Sequence, residues 1–320
     1  DLIDPEAQDL LYQGDAEKWL KLAYGLKARY TMHLLKRSAN KDADMEKVLE
    51  YVNNSFESAE EQAAFDVYDA NNINPLYGFF VARAGLGASE SMRSKLAEYN
   101  DPRLSRAFIT KQGASGKEQA PGTADNAVYA PNGSPEQGTS KYGTSLFMYS
   151  ISAPTLLLSY HELKFLEAEA LCRLGRDAKS ALKDAVVAGL LNAENSFSVS
   201  RKELGKTLIN PASSITDTEA ESYFDNTIEA KYTAEPLKTT MIQKYFALWG
   251  ASGEATESYN DVRRMKGLGE NFIELKNPNS FPLRCPYGNS DTTTNAEVKA
   301  AYGNGQYVYS ENVWWAGGSR

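Results

Sequence analysis

Reaction chemistry needs a few side-chain types at set spacings, and this chain offers little of it. It holds 42 acidic residues, two His and two Cys among 320 residues. A glycoside hydrolase needs two carboxylates across one cleft, and no motif presents such a pair. There is no Gly-x-Ser-x-Gly elbow, no His-Glu-x-x-His and no phosphate-binding Gly loop. His33 lies on an apolar helical stripe without partner ligands, so it reads as a packed core histidine rather than a zinc ligand. Cys172 falls in a helix core row, far in sequence from Cys285, so two free thiols are expected. No metal, no cofactor and no enzymatic activity is expected.

What the chain has in quantity is aromatic surface. Phe, Trp and Tyr make up 11% of it, with 19 Tyr. Residues 110–152 are punctuated by Gly113, Gly116, Gly122, Gly133, Gly138 and Gly143 and by Pro121, Pro131 and Pro135. A loop beyond about 15 residues inside a compact domain is usually functional or disordered. Disordered segments are poor in aromatics, yet this one carries Tyr129, Tyr142, Phe147 and Tyr149. Phe147-Met148-Tyr149 is expected to pack on the scaffold. Tyr129 and Tyr142, among Gly and Pro, are the candidate exposed platforms, with Tyr77 and Tyr149 beside them. Flat rings stack on sugar faces without charge, so the ligand expected there is a neutral oligosaccharide. Trp314-Trp315 has the same chemistry, but the pair is expected to plug the C-terminus onto the core. The net charge of −8 argues against a nucleic-acid partner, which needs clustered Lys and Arg.

The element that must position these rings is the stretch from Ala153 to Leu190. Leu156, Tyr160, Leu163, Leu166, Ala170, Leu171 and Leu174 recur at helical spacing from a start at Pro154. Leu158, Phe165, Ala168 and Cys172 form a second apolar row. Glu162, Glu169 and Arg173 make the polar strip. A helix apolar on two sides is sandwiched between neighbours. Gly175 stops it, and a second helix follows with Ala178, Ala181, Leu182, Ala185 and Val186 on one face. This is a hairpin of tetratricopeptide type.

Further helices are predicted around it. One follows the N-cap Asp15, with a stripe of Trp19, Leu22, Ala23, Leu26, Tyr30, His33 and Leu34. Others run through Met45, Val48 and Val52, through Met92 and Leu96, from Glu219 to Tyr232, and from Pro236 through Trp249. Asn74-Pro75 is turn chemistry before an extended aromatic segment, and 195–217 is loop-rich. Asp101 and Arg103 flank Pro102, which ends a helix, and read as a local ion pair. Asp261, Arg263 and Arg264 are expected to pair with acids of neighbouring helices, Glu162 or Glu169 among them. The class is mainly α: tetratricopeptide-like hairpins packed with a loop-rich ligand-binding region. Residues 1–320 form one domain, with 105–152 and 266–320 as loop-rich segments.

Five groups of residues together resemble the SusD/RagB family of starch-binding-type outer-membrane lipoproteins. They are Gly14-Asp15 with Lys18-Trp19 and Leu26-Lys27-Ala28-Arg29, then Asn74-Pro75-x-Tyr77, and Asn100-Asp101-Pro102-Arg103. The hairpin adds Tyr160-His161-Glu162, Ala168-Glu169-Ala170 and Arg173-Leu174-Gly175. Gln243-Lys244-Tyr245-x-Ala247-Leu248 followed by Tyr259-Asn260-Asp261-Val262-Arg263-Arg264 is the most specific. The tail is similar too, with Gly288 and Asp291 where the family has Pro and Glu. The resemblance implies a protein that captures oligosaccharides without cleaving them, for a SusC-like TonB-dependent transporter at the bacterial cell surface. It implies a lipid anchor on an upstream Cys that this chain does not contain, and a family N-terminal portion that is missing here. Some family members capture peptides instead. An α-helical glycoside hydrolase and a ligand-free interaction scaffold stay open beside these readings.

Overall fold

The structure, a computed structural model, describes residues 8–82, 87–111, 118–119, 128–133, 142–204, 213–250 and 253–318. The chain divides into two compact units, residues 1–274 and 275–320.

In the first unit, α1 (Ala16–His33) starts where Asp15 accepts hydrogen bonds from the Glu17 and Lys18 amides. Its buried face is Leu22, Gly25, Ala28, Arg29 and Met32. The face is therefore rotated from the predicted stripe: Trp19, Tyr30 and Leu34 are exposed. The pivot is Gly25. A Cβ there would run into Leu158 and lie 2.8 Å from Ser55 Oγ. The roughly 1 kcal/mol of helix propensity that Gly costs thus permits a close approach. Next, α2 (Lys41–Asn53) buries Met45, Val48 and Val52. It packs beside α1, and both cover the central hairpin.

Strand β1 (Ala63–Phe65) pairs antiparallel with a later strand. Helix α3 (Pro75–Ala82) replaces the predicted extended segment. The reason is local: Asn74 Oδ1 accepts from the Leu76 amide at 2.8 Å, and Pro75 sits where a missing N–H costs nothing. Then come α4 (Glu90–Glu98) and α5 (Arg103–Ala107). Strand β2 (Phe108–Lys111) pairs with β3 (Glu118–Gln119) and β4 (Thr144–Ser145).

Strand β5 (Thr155–Leu158) is the partner of β1. It occupies what the sequence pattern assigned to the start of the long helix. Leu156 and Leu158 point inward at 2% and 0% exposure while Leu157 is 44% exposed. That alternation is a strand's. The helix begins only at Ser159, whose Oγ accepts from the Glu162 amide. Helix α6 (Tyr160–Arg173) ends at Gly175, where φ is +68°. Helix α7 (Lys179–Leu204) buries Ala181, Leu182, Ala185 and Val186, as expected, with Ala178 buried just before it, but runs on through a segment predicted to be loop.

Helix α8 (Asp217–Tyr223) opens on a Thr216–Glu219 capping box. A π turn (Phe224–Ile228) joins it to α9 (Glu229–Ala234). Helix α10 (Pro236–Ala247) starts at its proline, and α11 (Ala255–Leu268) ends at Gly269 with φ +79°. Two apolar clusters result, and α6 contributes to both. Phe165 and Ala168 face the α7–α10 side, while Leu163, Leu166 and Ala170 face α1 and α2. The prediction of a helix sandwiched on two sides is met.

The second unit holds α12 (Asn289–Thr294) and α13 (Ala296–Tyr302) within otherwise irregular chain. Tyr287 stacks on Tyr302, ring centroids 4.2 Å apart. Trp314 is 71% exposed. The side chain of Trp315 lies outside the described residues.

Candidate ligand-binding site

The acids that stood out in the sequence are built into the scaffold. Glu162, on α6, receives Arg29 of α1 through Nε at 2.9 Å and through Nη2. The same Nη2 lies 3.5 Å from Glu254 Oε1, which also accepts from the Ser159 amide. Nearly two turns further along α6, Glu169 takes Arg264 of α11 through both terminal nitrogens and Arg173 Nε at 2.8 Å. Asp261 joins Arg264 at 2.7 Å and Lys244 at 2.8 Å. Asp101 grips Arg103 with two bonds of 2.8 and 2.6 Å, and Tyr223 donates to it at 3.2 Å. Arg106 pairs with Glu194.

Burial governs the ionisation of this interior. It would raise the Glu169 carboxyl, but the Arg264 and Arg173 charges outweigh it and hold Glu169 well below the usual range. Glu254 goes the other way. Burial first, and then the neighbouring Glu162 carboxylate, hold it well above that range. Burial, with the charges of Arg103 and Lys244, lowers His161 to about 3. His33 is not the packed core residue expected: its Nε2 lies 2.7 Å from Glu257 Oε2 at the half-buried margin. Burial opposes ionisation of Glu257, yet that bond and the Arg29 and His33 charges bring it down to about 2.

Glu162, Glu169, Asp101, Asp261 and Glu254 are each under 5% exposed. Carboxyl groups held by scaffold partners away from solvent are not placed to flank a scissile bond and a water. Among the described residues, no three His, Cys, Asp or Glu converge as a metal set. No described helix is long and apolar enough to cross a membrane.

The aromatic residues divide into two groups. Tyr129 and Tyr142, predicted to be exposed platforms, are 4% and 5% exposed. Their faces are covered because the segments that carry them are woven together. The Gly143 amide donates to the Val128 carbonyl, and Ala130 and Ala88 are linked in the same way. Tyr129 meets Phe108 edge-on at 5.3 Å, with the Arg93 guanidinium 5.1 Å over its ring. Phe108 stacks on Trp249 at 5.2 Å, Trp249 meets Phe147 at 5.1 Å, and Phe147 meets Phe197 at 4.7 Å. Gly250, with φ +79°, is where the chain turns against this ladder: a Cβ would strike the Phe147 ring. The rings of this loop region have something to pack on, as predicted for Phe147, and most of them are spent on it.

Tyr77 and Tyr149 are only half-buried. They lie on neighbouring elements, α3 and the 3₁₀ turn Leu146–Tyr149. Tyr149 meets Phe80 of α3 edge-to-face at 4.8 Å. Three contacts fix the pair. Asn74 Nδ2 donates to the Ala153 carbonyl at 2.7 Å, Ser200 Oγ to the Leu146 carbonyl at 2.6 Å, and the Ile151 amide to Glu203 at 2.7 Å. Helix α3 buries none of its residues fully; Phe79 is 49% and Val81 59% exposed. Phe79 and Phe80 were missed in the sequence. The usable signal was Asn74-Pro75 as cap and first helical residue, which turns an apolar run into a helix face. Such a face, with Tyr hydroxyls at hand, can stack on flat neutral ligands and hydrogen-bond their hydroxyls.

Comparison with known proteins places this architecture. A family model described as SusD-like, starch-binding and associating with the outer membrane matches residues 3–287. A SusD/RagB family protein from Bacteroides thetaiotaomicron is 67% identical, with a TM-score of 0.91, over 100% of this chain and 69% of its own. A SusD homologue from Bacteroides fragilis is 20% identical with a TM-score of 0.66, over 93% of this chain and 67% of its own. A chitin-binding protein is 20% identical with a TM-score of 0.63, over 96% and 66%. The last two are alike in fold. No curated protein matches the chain.

Proposed function

The chain belongs to the SusD-like family of starch-binding, outer-membrane-associated proteins, and we propose that it captures neutral oligosaccharides there without cleaving them. The family's members are binding proteins rather than enzymes, associated with carbohydrate ligands and SusC-like transporters. The observation that carries the reading is the contrast between locked acids and open rings. The prominent carboxyl groups are buried among scaffold partners, while half-buried Tyr77 and Phe80, one turn apart on α3, and Tyr149 against Phe80 offer an aromatic face at the edge of the helical scaffold. A lipid anchor and a TonB-dependent transporter partner belong to the same proposal and are supported by the family match.

Glycan screening followed by calorimetry tests it. Tyr149→Ala and Tyr77→Ala are each expected to weaken the best neutral oligosaccharide about tenfold, or about 1.4 kcal/mol. Affinity is expected to stay nearly constant with salt, because stacking involves no ion pair. Unchanged affinity in both variants would put the site elsewhere. Binding of extended peptides in place of any glycan would replace the ligand class.

A further inference from the structure

A second concave surface lies on the hairpin itself, sharing no residue with the α3 face. It is a groove of about 370 Å³ between α7, the first turn of α6 and the segment 57–62. That volume falls in the range of small-molecule sites. Its floor is aliphatic: Val187, Ala188 and Leu191 lie at helical spacing on the side of α7 away from the core row, all half-buried. The half-buried Tyr160 stands beside them.

The polar lining is divided sharply. Its charges are largely answered inside the protein. Glu57 pairs with Lys21 at 3.1 Å, Lys183 with Asp225 at 2.7 Å, and Asp184 lies 3.6 Å from Lys164. Its amides are not. Asn192 and Asn195 make no side-chain hydrogen bond among the described residues. Gln62 uses only Oε1, accepting from the Tyr160 amide at 3.3 Å, which leaves its NH₂ donors open. Each Asn amide offers two donors and an acceptor. A groove with mostly paired charges, open amides, an aliphatic floor and a Tyr ring suits a neutral polyhydroxylated ligand. An anionic ligand would have to break an ion pair or face the Glu221 carboxylate, which also lines the groove.

We propose that this groove is a second saccharide subsite, holding one or two neutral sugar rings over Val187–Leu191 through the amides of Gln62, Asn192 and Asn195. With the α3 face it would let one long glycan be held at two points, where linkage raises avidity without new contacts.

The test uses the full chain, isotope-labelled, with maltotriose and cellotriose as probes and side-chain amide resonances as the readout. At least one trisaccharide should shift the Asn192, Asn195 and Gln62 amides saturably. An Asn192→Ala, Asn195→Ala pair should weaken that titration at least tenfold, and Tyr149→Ala should leave it unchanged. Both asparagines are solvent-accessible on a helix where Ala is favoured, so the fold survives the change. Ala188→Leu, which fills the floor and removes no polar group, should weaken it too. If a trisaccharide binds but these amides stay still and Tyr149→Ala removes all binding, the groove proposal falls and the oligosaccharide reading stands. If no trisaccharide shifts anything at millimolar concentration, both fall. If trialanine moves the amides and the sugars do not, the groove is a peptide site and the proposal is wrong.

Discussion

Glu169, on the polar strip of α6, is 0% exposed and holds two guanidinium groups, Arg264 and Arg173. Removing one member of such a set leaves the others charged and unanswered in low dielectric. Glu169→Gln is therefore expected to cost about 3–5 kcal/mol, read as a lower urea midpoint. Its native pKa lies below the unfolded value, so this stability is present above the ordinary Glu range and fades as pH falls through the native pKa. A loss under 1 kcal/mol near neutrality would mean that Arg173 and Arg264 find other partners. Leu163, also at 0% exposure, carries the apolar counterpart: Leu163→Ala should cost about 2–5 kcal/mol. The sequence allowed Arg264 to pair with Glu162 or Glu169. The choice of Glu169, and of Arg29 for Glu162, was not legible, because it depends on two helices 133 residues apart in sequence meeting at Gly25. The burial of Tyr129 and Tyr142 was hidden for a related reason. Gly and Pro around a ring describe the backbone's freedom and say nothing of what the ring folds onto.

At the start of α6, Ser159, Glu254 and Arg29 bring three elements together, and His161 Nε2 lies 3.8 Å from Glu254 Oε2. This junction should set the pH range of stability from both sides. Glu254 has a native pKa above its unfolded one. Its contribution is full below about pH 4.5 and is lost as pH rises toward the native value, because only the unfolded chain releases the proton. His161, held neutral to about 3, works in reverse: stability falls as pH drops from about 6.5, where the unfolded imidazole gains a proton. Urea unfolding of Glu254→Gln should show less decline than the parent protein between pH 5 and pH 9. Equal slopes in the two proteins would refute the assignment. The helix pattern of α6 was readable from its apolar rows, and so were its Gly175 stop and the Ala-rich face of α7. The first residues were misread because Leu156 and Leu158 fit a strand and a helix equally well. Only the pairing partner Ala63–Phe65 decides between them, and a three-residue strand leaves almost no periodicity to find.

For the molecule as a whole, incubation with a broad oligosaccharide panel should give no turnover. Hydrolysis that survives purification and vanishes on replacing one carboxylate would favour the glycosidase reading. Family and helical class were legible because their marks are local: caps, turns and short charged motifs. The ligand was not, because its face is assembled from α3 and residue 149, which adjoin only in the folded chain. The buried ion pairs carry one more consequence, for how sequence change is tolerated. Aliphatic rows accept a helix slipped by one turn, about 5.4 Å, with modest loss. Arg29, Glu169 and Arg264 do not, since a slip would strand each opposite hydrocarbon. The charges act as a checksum on helix alignment, verified at every folding event. Loops at the edge can then be rewritten for new nutrients while the frame rejects any misaligned copy of itself.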